Sequence, residues 1–167
     1  MNGCSRFRIC CGAVLLCLVL LPALAGAESL SGRVRWIYDG DTIAVSGVGT
    51  VRLLGIDAPE REASSRDHFY RRWQITPATL RQIHHSGKDY LIENLKGQTV
   101  VLKTEGVPRD RYGRLLAYVY NADGDLINRV ILEKGYAAVF RRSDFSLKDS
   151  FLQAESQARA KRLGLWQ

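Results

Sequence analysis

The chain has 167 residues, 46% of them hydrophobic and 25% charged, with a formal net charge of +7. That composition excludes a disordered or low-complexity chain, and the length leaves room for about one domain. Charge alone does not choose between polyanion binding and simple solubility.

Residues 1–27 read as a secretory leader: Arg6 and Arg8, an uncharged apolar run from Cys10 to Leu24, then Ala25-Gly26-Ala27 as a small-residue cleavage site. Cleavage is predicted after Ala27, with Ala25 as the alternative, leaving one domain over 28–167. Gly12 and Pro22 interrupt the apolar run, which is short for a bilayer span. All four cysteines, Cys4, Cys10, Cys11 and Cys17, lie in this leader, and Cys17 lacks a lipobox. The mature chain is thus expected without disulfides, exported to the periplasm or medium, free of membrane and monomeric. Its 22 basic and 17 acidic side chains leave a net charge of +5.

Leu30 to Ile56 is strand-like. Val34, Trp36 and Tyr38 alternate with Arg33, Arg35 and Ile37. Asp39-Gly40 marks a turn, Ile43 to Val45 a second strand, Ser46 to Gly49 a second turn, and Thr50 to Ile56 a third strand. Glu60 to Gly87 is polar and irregular, with an aromatic-basic cluster from Phe69 to Trp73, and Pro77 can open a short helix to about His84. Apolar spacing at Leu91, Ile92 and Leu95 predicts a helix over Lys88 to Lys96. Strands follow at Thr99 to Lys103 and Leu115 to Tyr120, separated by a loop with Asp110 to Arg114. Leu126 to Lys134 reads as a helix capped by Gly135, Ala137 to Phe140 as a short strand, and Ser146 to Lys161 as the last helix. About five strands with interspersed helices indicate an α+β fold on a five-stranded barrel of the OB type.

Three runs carry the chemistry: Asp39-Gly-Asp-Thr42, Arg52-Leu-Leu-Gly-Ile-Asp-Ala-Pro-Glu60 and Asp110-Arg-Tyr-Gly-Arg114. A hairpin of the second and third strands can bring Asp41 and Asp57 to one barrel end. Converging carboxylates need a cation, and a set of oxygen donors with no Cys or His favours Ca²⁺ or Mg²⁺ over zinc. Taken singly, Asp39 and Asp41 also suit a turn, and Asp57 a strand end before Pro59. Glu60 could orient or deprotonate water, or be an ordinary loop acid. Arg52 and Arg114 offer guanidinium forks for phosphate, or ion pairs with Asp41 or Asp57. Tyr112 suits nucleotide stacking or a barrel rim. A second metal site at His68, His84 and His85 lacks a matching acid or cysteine.

The three runs in this order, with Leu115-Leu-Ala-Tyr-Val-Tyr120 and the stretch from Leu126-Ile-Asn128 to Lys134-Gly135, resemble the staphylococcal nuclease family over Ser31 to Trp166. The resemblance implies a five-stranded OB-type barrel with about three helices, and a metal-dependent, sugar-non-specific nuclease acting on DNA and RNA and leaving 3′-phosphates. One Ca²⁺, rather than Mg²⁺, would be held by Asp41, Asp57 and the Ala58 carbonyl. Glu60 would serve as general base, Arg52 and Arg114 as phosphate and transition-state ligands, and Arg111 and Tyr112 as substrate contacts. The alternative is a non-catalytic nucleic-acid- or protein-binding module on the same barrel, though such modules usually lose the acids or arginines retained here. Two departures stand out. The segment from 61 to 87 is longer than in the best-known member, and Arg141 and Ser143 replace its base-contacting tyrosines. The segment from Phe69 to Trp73 is expected either to supply stacking and phosphate contacts instead or to pin the insertion to the barrel.

Overall fold

The computed structural model describes residues 29–106 and 108–167. The leader, its cleavage site and the four cysteines lie outside the described residues.

Five strands close into a barrel in the order β1-β2-β3-β6-β5. They are β1 (Ser29–Ile37), β2 (Thr42–Val45), β3 (Gly49–Leu53), β5 (Thr99–Lys103) and β6 (Leu115–Tyr120). All neighbours are antiparallel except β3 and β6, which run parallel, Val51 beside Leu115 and Leu53 beside Ala117. Closure removes the exposed sheet edges. β4 (Ile56–Asp57) and β7 (Ala138–Val139) form a separate two-stranded ribbon. The α+β barrel expected from the sequence is the fold observed.

Val34, Ile43, Val51, Leu53, Val100, Leu102, Ala117 and Val119 fill the barrel interior and are almost fully buried. The helices are α1 (His68–Arg71), α2 (Pro77–Leu95), α3 (Ile127–Glu133) and α4 (Lys148–Ala160). Thr76 caps α2, its hydroxyl accepting from Thr79 N at 3.1 Å, and Pro77 stands in the first turn, where it sacrifices no helix hydrogen bond. Asn128 of α3 is fully buried and bonds to three backbone groups. Its Oδ1 accepts from Val119 N at 2.9 Å, and its Nδ2 donates to the carbonyls of Leu54 (2.9 Å) and Ala117 (3.2 Å). This stitches the helix to the strand ends that carry the site.

The structure corrects the sequence reading in four places. A register shift between Val34 and Trp36 breaks the alternation of β1. Ile37 therefore turns inward while Trp36 and Tyr38 stand 53% and 48% exposed. The strand expected over Thr50 to Ile56 divides at Gly55. Its φ of +81° redirects the chain into β4, and a Cβ there would sit 2.7 Å from the Phe145 ring. The two helices expected either side of residues 85–87 are one helix, α2. Gly87 does not break it, because packing against Tyr136 and Gly40 rewards the absent side chain. The irregular stretch after Glu60 contains a 3₁₀ turn at Ser65–Asp67 and α1, which with the continuous α2 makes four α-helices among the described residues. Gly135 does end α3, with φ +70°.

Candidate active site

The turn between β1 and β2 delivers Asp41, and the end of β3 with β4 delivers Arg52 and Asp57. Thr42 pairs with Arg52 across the β2–β3 ladder, which sets Asp41 beside that arginine. The Arg52 guanidinium joins both acids: Nη1 donates to Asp41 Oδ1 at 2.6 Å and Nη2 to Asp57 Oδ1 at 2.9 Å. Asp41 is 2% exposed and Asp57 8%. Asp41 also accepts from Thr42 Oγ1 through Oδ1 and from Ala58 N through Oδ2, both at 2.9 Å. Burial pushes the Asp41 carboxyl up, but the Arg52 charge and these donors outweigh it and hold it below the usual range.

Glu60 stands half exposed at the same rim. Burial and the charge of Asp41 raise its pKa, against Arg52 and Arg114. Arg66, which sequence reasoning passed over, links the acids. One Nη donates to Asp57 Oδ1 in a close ion pair, and the other lies 3.3 Å from Glu60 Oε1. The segment expected to be an irregular insertion thus sends an arginine back between two of the candidate site acids. Its only sequence signal was a cation six residues after Glu60 in an acid-rich stretch.

The backbone from 57 to 59 is pinned from behind. Tyr70 Oη donates to the Asp57 carbonyl at 3.0 Å, and His84 Nδ1 donates to the Pro59 carbonyl at 3.0 Å. Burial raises the Tyr70 pKa, which keeps its hydroxyl a donor. Tyr70 thus ties the segment to the barrel, one of the two roles expected for Phe69 to Trp73. Trp73 packs edge-on to Tyr70 and Trp166 in a small core with Leu80, Ile83 and Leu165. Phe69 and Arg72 of the same segment line the cleft.

Arg114 is held by Asp110, Nε at 2.8 Å and Nη2 at 2.7 Å from Oδ2, not by Asp41 or Asp57. Both residues line one cleft of about 580 Å³ with Arg52, Asp57 and Arg66. Arg111 and Tyr112 stand exposed at its edge, with Arg111 Nη2 donating to Tyr112 Oη at 2.6 Å. Arg141 is tied to the buried Glu155, which also accepts from Val139 N at 3.0 Å, so it braces β7. Seven arginines and two aspartates line the cleft, a balance that attracts a polyanion.

Among the described residues, no three His, Cys, Asp or Glu side chains lie close enough to hold an ion by themselves. An ion here would need Asp41 and Asp57 supplemented by backbone oxygen and water. The chemistry of the set fits a hard cation on those terms, because the buried donors are all oxygens. Asp39, beside Asp41 in the same turn, has its pKa raised to about 7 by burial and then by the charge of Asp41. A carboxyl raised in the fold supplies stability that is full below its unfolded pKa and is lost as pH rises through about 7. Without metal, unfolding free energy from urea titrations should fall as pH rises from about 4 to about 7. Asp39→Asn, which keeps the acceptor for Asp41 N (3.0 Å), should flatten that fall.

A family model described as staphylococcal nuclease homologue matches residues 50–167. The chain belongs to the staphylococcal nuclease family. It is 37% identical over 151 residues to an uncharacterized protein of Methanocaldococcus jannaschii, covering 83% of this chain and 72% of that protein. Against an uncharacterized endonuclease of Escherichia coli O157:H7 it is 33% identical over 140 residues, 82% of this chain and 77% of the other. Against the thermonuclease of Staphylococcus hyicus it is 29% identical over 148 residues, 86% and 79%. The barrel and the basic cleft are thus those of a nuclease family member, and the family's relatives include named nucleases.

Proposed function

We propose that the chain is an exported, Ca²⁺-dependent nuclease that hydrolyses phosphodiester bonds of DNA and RNA and leaves 3′-phosphates. The observation that carries this reading is the single charge network joining Asp41, Arg52, Asp57, Arg66 and Glu60, of which Arg52, Asp57 and Arg66 line a basic cleft. Asp41, Asp57 and the Ala58 carbonyl would hold the ion, whose chemistry is to offset phosphate charge and polarise a phosphate oxygen.

Glu60, its basicity raised by burial and by Asp41, orients a water and takes its proton as the oxygen attacks phosphorus. The bond from phosphorus to the 5′-oxygen breaks opposite the incoming water, and that oxygen is protonated from solvent. Arg52 and Arg114 meet the phosphate oxygens as negative charge builds on them. Each is already oriented by an aspartate, so little rotamer entropy is lost when phosphate arrives. Arg111 and Tyr112 contact the flanking nucleotide.

The test is to digest 5′-labelled single-stranded DNA and RNA of one sequence and type the new ends with a 3′-phosphatase. Ladders from both that shift on phosphatase treatment support the proposal, whereas 3′-hydroxyl ends would overturn the assigned bond. Export is tested separately, by sequencing the N-terminus of protein from periplasm and medium: Glu28 is the expected first residue.

A further inference from the structure

Four of the seven arginines in the cleft are occupied: Arg52, Arg66, Arg114 and Arg141 each pair with an aspartate or glutamate. The other three, Arg72, Arg111 and Arg142, have no carboxylate partner among the described residues, and all three are exposed. Each instead lies over an aromatic ring. The Arg72 guanidinium carbon is 4.0 Å from the Trp73 ring centre, that of Arg142 4.1 Å from Phe69, and that of Arg111 4.8 Å from Tyr112. Such a cation needs no ion pair broken before it meets a phosphate, and its ring holds the guanidinium in place.

Arg111 and Tyr112 come from the loop before β6, beside Arg114. Arg72 and Arg142 come from elsewhere, the first from the end of α1 and the second from the loop after β7. Trp73, beneath Arg72, is fixed by Tyr70 and Trp166. Arg159 lies 4.6 Å from the Trp73 ring centre and is engaged by Glu155 at 3.3 Å. These two loops therefore present free charge on a rigid aromatic base, away from the loop that carries Arg111 and Arg114.

We propose that Arg72 and Arg142, backed by Trp73 and Phe69, form a second phosphate subsite that grips single-stranded nucleic acid beyond the bond being cut. This rests on the cleft being the nucleic-acid site described above. A guanidinium stacked on one face leaves its other face for an unpaired base, which a duplex does not offer. The subsite should therefore reward strand length and lack of pairing.

The test is binding without cleavage. Fluorescence anisotropy in EDTA would compare labelled di- and hexathymidylate on the wild type, the Arg72→Gln/Arg142→Gln double variant and the matching double Lys variant. The wild type is expected to bind the hexamer at least about tenfold tighter than the dimer, a gain that the Gln variant loses. The slope of log Kd against log salt on the hexamer should shrink by about 1.4 in the Gln variant, roughly 0.7 per lost phosphate contact, and return in the Lys variant. No length gain in the wild type, or a Gln variant that keeps both gain and slope, overturns the subsite. Probe recovered intact on a denaturing gel after each titration makes the outcome independent of catalysis. Failure of cleavage with the length gain intact would strike the proposed function alone, and cleavage with no length gain would strike only the subsite.

Discussion

Arg52→Gln is expected to remove activity and stability together. The guanidinium is the only side-chain cation paired with Asp41 among the described residues, and Asp41 is almost wholly buried. Taking one partner from a buried pair strands the other, at a cost of about 3–5 kcal/mol. Loss of a donor aimed at developing phosphate charge adds about 10²–10³-fold in kcat. Arg114→Gln separates the two effects. Its pair with Asp110 is partly exposed, so stability should change by about 1 kcal/mol or less while kcat falls by a similar factor to Arg52→Gln. Urea melts beside steady-state kinetics on denatured DNA check both variants. Equal destabilisation by the two would mean that Arg52 does not bear the burial cost of Asp41.

Glu60→Gln is expected to lower kcat by about 10²–10⁴-fold with little change in KM, because the amide keeps the shape and loses the base. The fold should be unaffected, since Glu60 is half exposed and its contact with Arg66 is 3.3 Å long. A pH–rate profile sharpens the point. Burial and Asp41 raise the pKa of Glu60, so the acid limb of wild-type kcat/KM should lie above that of an ordinary glutamate. Glu60→Gln should lose that limb. A variant with full kcat would remove Glu60 from the chemistry.

Much of this arrangement was legible in the chain because its parts are close in sequence and rigidly spaced. Arg52 and Asp57 lie five residues apart on a strand and its extension, and Asp41 lies one turn and one ladder away. Barrel closure then leaves those residues little choice of place. Arg66 was not legible, because its position depends on a loop folding back and no hydrophobic period marks such a path. The same holds for Tyr70 and His84, whose bonds to the Asp57 and Pro59 carbonyls depend on how α1 and α2 dock. Gly87 misled for a related reason: the residue that breaks an isolated helix is favoured where Tyr136 and Gly40 press against it. Trp36 and Tyr38 misled because one irregularity in the β1 register changes the facing of every residue after it. The pairing of Arg114 with Asp110 came from within its own loop, where the i,i+4 spacing could have announced it.

In the proposed function, Asp41, Asp57 and Glu60 serve one cation-assisted phosphodiester hydrolysis. The most direct measurement is the rate of acid-soluble nucleotide release from denatured DNA in Ca²⁺, after EDTA, and after Ca²⁺ is restored. Rapid release in Ca²⁺, loss of at least about 10²-fold in EDTA, and recovery on restoration are expected. Release at the same rate in EDTA would contradict the proposed function.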